Sequence, residues 1–320
     1  MLPPQVLLSE VGPRDGLQSI DRVMPTAAKK RWLDALAGAG LREIEVGSFV
    51  PPKLLPQMAD TAELVAYARE IPDLTVAVLV PNLRGAEDAI RAGAHKISIP
   101  FSVSEAHSLK NVRKTHDQMF DEVRRIAARV AEQPSDTRPH FEAGLSTAFG
   151  CTISGPVAED LVVRCAERLI ESGCQEVGLS DTTGYGNPAQ VRRLIRKVRA
   201  AVGQDRLTGV HLHNTRGLGL ANALAALEEG ITTLDSSLGG IGGCPFAPGA
   251  SGNIVTEDLA FMLEAMGIDT GIDFDRLLDA RAIVAEALPG EPLYGFIPDA
   301  GLPLGFGHNA GQEPARVADA

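Results

Sequence analysis

Two histidines one residue apart, His211 and His213, end a Val-His-Leu-His run. On an extended strand alternate side chains share a face, so both imidazoles project to the same side. Buried together they need something to accept them, and a divalent cation does so; a satisfied pair of core histidines is the plainer alternative. Asp15 can add a carboxylate and Asn253 a carbonyl oxygen. Two nitrogens, two oxygens and two waters make a six-coordinate shell, which suits Mg²⁺ or Mn²⁺ better than four-coordinate structural zinc.

Asn253 closes a loop, residues 239–253, in which six glycines and two prolines surround one cysteine, Cys244. Ordering so much glycine is entropically costly, and a chain tolerates this where backbone must approach something or move. A thiol at its centre is placed for chemistry, although an incidental cysteine in a surface turn reads the same way. Arg14, beside Asp15, can steady an oxyanion or serve as an ordinary ion-pair partner. Glu45 can pair with Arg14 and orient it. Asp181, in Leu-Ser-Asp-Thr-Thr-Gly, can hydrogen-bond a substrate, hold a metal-bound water or cap a turn. The clearest basic run is Leu109-Lys110-Asn111-Val112-Arg113-Lys114. A solvated helix face is its default reading; Lys110, Asn111 and Arg113 meeting the phosphates of a coenzyme A tail is the alternative. Cys151, Cys165 and Cys174 read as packing residues.

These residues are scattered over some 240 positions, so the fold must gather them. Short Val/Ile/Leu-rich runs at 6–14, 43–49, 74–80, 96–100, 139–147, 176–181, 209–213 and 232–237 read as strands. Each precedes a stretch of helical periodicity, at about 26–39, 60–70, 83–92, 104–132, 157–172, 188–202, 218–229 and 256–266. Eight successive βα units predict a closed (β/α)8 TIM barrel. A doubly wound sheet is the alternative, but the first strand ends in Gly-Pro-Arg-Asp-Gly and lacks the Gly-x-Gly-x-x-Gly turn. Barrel enzymes work at the C-terminal ends of their strands, where Arg14, Asp15, Glu45, Asp181, His211 and His213 fall. An extra helix is expected at 274–287. The barrel domain is taken as 1–288 and the Gly/Pro-rich tail as 289–320, irregular throughout and disordered from 311.

At 320 residues and 44% hydrophobic content this composition is that of an ordinary globular protein. A net charge of −11 argues against nucleic acid as a general partner. No apolar run reaches membrane-spanning length, and no signal or transit peptide is read at the N-terminus. The four cysteines form no C-x-x-C pair, so free thiols in the cytoplasm are expected.

Several stretches resemble the 3-hydroxy-3-methylglutaryl-CoA lyases of the DRE-TIM metallolyase superfamily. They are Val11-Gly12-Pro13-Arg14-Asp15-Gly16-Leu17-Gln18, Ile44-Glu45-x-x-Ser48-Phe49-Val50, Pro56-Gln57-Met58, Pro81-Asn82-Leu83-x-Gly85, Ser236-Ser237, the Gly240–Asn253 loop and Thr256-Glu257-Asp258-Leu259. The match runs in register over roughly residues 6–288. The resemblance implies one divalent metal held by Asp15, His211, His213 and Asn253. It implies Arg14 as oxyanion partner, Glu45 and Asp181 as active-site acids, and Cys244 as a catalytic residue on a mobile loop. It further implies a homodimer that splits a hydroxymethylglutaryl thioester of coenzyme A into acetyl-CoA and acetoacetate. The proton acceptor is then His211, or a metal-bound water assisted by Asp181. Two departures stand beside the expected metal. Asn214-Thr215-Arg216-Gly217-Leu218 replaces the usual Asp-Thr-Tyr-Gly-Gln and leans towards the synthase branch, and Val46-Gly47 replaces two threonines. They leave open a related 3-hydroxyacyl-CoA, such as citramalyl-CoA or a longer 3-alkyl analogue, and a Claisen-type synthase. A non-catalytic metal- or CoA-binding protein is the remaining alternative.

Overall fold

A computed structural model describes residues 2–242 and 252–306 of the chain. Strand β1 (Leu7–Glu10) is followed by α1 (Thr26–Gly38), and β2 (Glu43–Ser48) by α2 (Thr61–Ala68). Next come β3 (Thr75–Leu79) with α3 (Leu83–Ala92), then β4 (Lys96–Ser102) with α4 (Glu105–Asn111) and α5 (His116–Ala131). The second half repeats the unit with β5 (His140–Ser146) and α6 (Glu159–Glu171), β6 (Glu176–Asp181) and α7 (Pro188–Val202), and β7 (Gly209–Leu212) and α8 (Gly219–Glu228). The last unit is β8 (Thr233–Ser236) with α9 (Thr256–Ala265); α10 (Phe274–Ala287) and the single turn α11 (Ile297–Ala300) follow. All neighbouring strands pair parallel, and β1 against β8 closes the barrel, as expected from the eight βα units.

The helices earn their places by burying one face against the strands. In α1, Trp32, Leu33 and Leu36 are fully buried, and the Lys29 ammonium is drawn in with them to meet Asp60 at 2.6 Å and the Gln57 carbonyl at 2.5 Å. Strand β3, Thr-Val-Ala-Val-Leu, is the near-continuous apolar run that a strand covered on both faces requires. No helix of the described residues is long and apolar enough to cross a membrane.

Two expected boundaries move. The first strand stops at Glu10, because Gly12–Gly16 wraps into a tight helical turn in which the Val11 carbonyl accepts the N–H groups of Arg14, Asp15 and Gly16. The helix expected over 104–132 is two helices. Arg113 takes the left-handed conformation at φ 57°, and Thr115 starts α5 with a reciprocal capping box to Gln118. The expectation of disorder beyond residue 311 lies outside the described residues. Residues 289–306 form loops around the one turn α11.

Candidate active site

The turn after β1 sets the first pair of charges at the C-terminal mouth. The Arg14 guanidinium, itself buried, donates through Nε to the Glu45 carboxylate of β2 and through Nη1 to Asp15. Glu45 Oε1 also accepts the Ser98 hydroxyl of β4 at 3.2 Å. A register shift between Glu45 and Gly47 in the β2–β3 pairing marks an irregularity where Glu45 turns inward. Two carboxylates therefore fix one guanidinium, as expected for Glu45. Burial pushes Asp15 upward, but Arg14 and the two imidazoles outweigh it and hold the carboxyl at about 2.

The imidazoles converge as alternation along β7 requires. Their Nε2 atoms stand 3.0 Å apart, and Asp15 Oδ2 lies 3.9 Å from one and 4.0 Å from the other. Asn253 reaches the same point through an isolated bridge to His213, and its Nδ2 donates to Asp15 Oδ2 at 2.8 Å. His211 Nδ1 faces the Asp235 carboxylate of β8 at 3.0 Å, a contact that orients the ring; burial pulls this imidazole down, but Asp235 and Asp15 outweigh it and raise it above the usual range. Among the described residues, buried His213 Nδ1 and Asn253 Oδ1 have no hydrogen-bond partner. Burial and the neighbouring His211 hold His213 down at about 4, so its neutral, ligating form is favoured.

This donor set fits a hard divalent cation. An octahedral ion with ligands at about 2.1 Å sets adjacent ligand atoms about 3.0 Å apart, which is the imidazole spacing found here. Asp15, His211 and His213 each offer an atom within 4.8 Å of the others, and the orphaned Asn253 oxygen is the natural fourth.

Asp181 ends β6 at the same mouth. Its carboxylate accepts the N–H groups of Tyr185 at 2.9 Å and Gly186 at 3.0 Å, so the turn reading holds as local structure. Burial nevertheless raises it to about 6. Cys244 and the centre of its loop lie outside the described residues. Lys110 and Asn111 end α4, exposed at the same end of the barrel, and Arg113 follows them. Lys114 of the same run turns inward to Glu122 at 2.6 Å.

The sequence reading missed Asp235 and Gln18 as neighbours of the cluster; Gln18 Nε2 donates to Asp15 at 2.8 Å. It also missed Glu10, whose buried carboxylate accepts Gly12 N–H, Leu238 N–H and the Thr256 hydroxyl and so ties the Asp15 turn to the loop stem. Asp235 was detectable in principle, because it stands level with His211 in the β7–β8 register.

Comparison with known proteins agrees with this geometry. The HMGL-like family model matches residues 5–284. The chain belongs to the HMGL-like family. It is 40% identical over 287 residues to the mitochondrial hydroxymethylglutaryl-CoA lyase of Mus musculus, covering 90% of this chain and 87% of that one. It is 43% identical to the 3-hydroxy-3-isohexenylglutaryl-CoA/hydroxy-methylglutaryl-CoA lyase of Pseudomonas aeruginosa, covering 90% and 94%. A solved HMG-CoA lyase from Acinetobacter baumannii, in complex with coenzyme A and 3-methylmalate, superposes with a TM-score of 0.86 at 38% identity, over 98% of each chain. Membership of this HMGL-like family makes the chain a carbon–carbon lyase.

Proposed function

We propose that the protein cleaves 3-hydroxy-3-methylglutaryl-CoA into acetyl-CoA and acetoacetate, using one Mg²⁺ or Mn²⁺ held by Asp15, His211, His213 and Asn253. The observation that carries this reading is the convergence of three donors beside a doubly anchored arginine at the mouth of a lyase-family barrel. When bound, the cation supplies Lewis acidity for the substrate hydroxyl and a template for its carboxylate.

The remaining work falls to the chain. The tertiary hydroxyl must lose a proton, the C2–C3 bond must break, and its electron pair must be held as a thioester enolate until C2 is protonated. Arg14, pinned by Glu45 and Asp15, presents a preorganised positive charge to the enolate oxygen. His211 commits Nδ1 to Asp235, and serving as a ligand commits Nε2. Asp181 is therefore favoured as proton acceptor; burial places it near the pH at which a base works best. Cys244 is proposed to return a proton to C2. Lys110, Asn111 and Arg113 are proposed to meet the phosphates of the coenzyme. A homodimer and a cytoplasmic location belong to the same proposal, the first carried from the resemblance and checked by sedimentation.

The test offers the purified protein, with Mg²⁺ or Mn²⁺, a panel of 3-hydroxyacyl-CoA thioesters while acetyl-CoA release is followed. Preferred cleavage of the 3-methyl substrate is expected. Preference for a longer 3-alkyl chain would move the acyl assignment, and release from none of them would contradict the lyase reading.

A further inference from the structure

The family model ends at residue 284, and the segment beyond it is built into the mouth. After α10 the chain doubles back so that residues 293–297 lie against the first stem of the glycine-rich loop and the first turn of α9. Gly239, in the first stem, is held from two sides. Its N–H donates to the Glu257 carboxylate at 3.0 and 3.2 Å, and its carbonyl accepts the Tyr294 N–H at 2.7 Å. Arg281 of α10 joins the two grips. Its Nη1 donates to Glu257 at 2.8 Å and to the Tyr294 carbonyl at 2.8 Å, and its Nη2 to the Leu293 carbonyl at 3.0 Å. Past the second stem, in the first turn of α9, Asp258 accepts the Phe296 N–H at 2.8 Å and the Ile297 N–H at 3.0 Å. Phe306 then packs on Phe261 and Phe274, with ring centroids 5.0 and 5.6 Å away.

What this grip holds leads directly to the cation donors. Gly239 at φ 67° sits in the left-handed region, which glycine alone enters without strain, so the stem depends on outside contacts to choose one conformation. Two residues on, the Ile241 carbonyl accepts Asn253 Nδ2 at 3.2 Å. At Gly242 a Cβ would come within 2.6 Å of that same amide nitrogen, so the stem backbone forms the wall against which Asn253 rests. Asn253 in turn meets Asp15 and bridges to His213. Glu257 is wholly buried, and Arg281 is its counter-charge, so the clasp is centred on a charge pair.

We propose that Arg281 and Tyr294 are positioning residues, which clasp the loop stem at Gly239 and thereby hold Asn253 in the cation-binding arrangement. The proposal rests on the reading of Asp15, His211, His213 and Asn253 as the cation site. Neither residue touches the reacting atoms; the segment acts by fixing backbone that the substrate chemistry depends on.

The full-length Tyr294→Pro protein removes one N–H from a partly exposed residue and leaves the buried charge pair intact. Arg281→Lys retains the charge and loses the fork. Three readouts are compared with wild type: amide hydrogen exchange, Mn²⁺ binding by electron paramagnetic resonance, and kcat and KM for the thioester. Loss of one such hydrogen bond is expected to speed exchange at residues 238–242 and weaken Mn²⁺ binding about fivefold each, with kcat falling and KM nearly unchanged. Arg281→Lys is expected to lie between wild type and Tyr294→Pro. Wild-type exchange and wild-type Mn²⁺ affinity in Tyr294→Pro would overturn the proposal. So would faster exchange spread evenly over β3 to β5, which is what mere support of the fold predicts. Absence of Mn²⁺ binding by the wild-type protein would contradict the cation reading instead; exchange at 238–242 then judges the clasp alone.

Discussion

The two ends of this barrel each gather three potential metal donors, and they differ in what those donors already have. At the N-terminal end His140, Glu142 and Glu176 offer atoms within 4.8 Å of one another, as Asp15, His211 and His213 do at the mouth. The lower group is tied together by one shared ammonium and by neighbouring donors. Lys96 Nζ lies 3.1 Å from Glu43 and 3.0 Å from Glu142, and Glu176 takes the backbone N–H and hydroxyl of Thr208 and faces His140 at 3.3 Å. In the upper group Asp15 is paired with Arg14, the two imidazole Nε2 atoms face one another at 3.0 Å, and the Asn253 amide oxygen has no partner among the described residues. A cluster whose carboxylates are matched by a lysine and by backbone and hydroxyl donors reads as structural; one that turns two imidazole nitrogens and a carboxylate oxygen toward a common point can hold a cation.

The largest effect that would sharpen this contrast is at Asp181. Asp181→Asn is expected to lower kcat by about three orders of magnitude, while Mn²⁺ binding persists. With the wild-type carboxyl at about 6, the proton acceptor is lost as pH falls through that value. Activity should therefore rise with pH across an acidic limb centred near 6. An unchanged limb in the variant would remove Asp181 from the proton path. Next in size is Lys96→Met, which strands carboxylates at the lower end. Chemical denaturation should register a loss of about 3–5 kcal/mol, with the cation still bound. Loss of cation binding there would erase the distinction between the ends. Asp235→Asn should weaken Mn²⁺ binding about 10–100-fold by freeing the His211 ring, measured by titration calorimetry. The smallest expected effect is at the rim. Lys110→Glu or Arg113→Glu should raise KM for the thioester about threefold with kcat held, as loss of an exposed charge contact does; equal KM values would return this run to a solvated helix face.

Much of the mouth was legible because its residues combine two signals, a reactive side chain and a place at a strand end. His211, Asp15 and Asp181 each carry both. Asp235 and Glu10 carry only one. A carboxylate within a strand reads alike whether its partner is an imidazole, an ammonium or backbone N–H, and only register distinguishes them. The break between α4 and α5 was written in Thr115-x-x-Gln118, but helical periodicity on both sides hid it. The early end of β1 reflects a Gly-Pro-Arg-Asp-Gly turn in which three successive N–H groups converge on the Val11 carbonyl. The clasp around Gly239 left no trace, since backbone donors such as Tyr294 N–H are common to nearly every residue type.

Binding of Mn²⁺ to the wild-type protein and to His213→Ala, followed by electron paramagnetic resonance, bears most directly on the claim that dispersed residues share one ion. One tightly bound ion per wild-type chain, and loss of that ion in His213→Ala, is the expected result. Equal stoichiometry and affinity in the two proteins would show that the ion, if any, sits elsewhere.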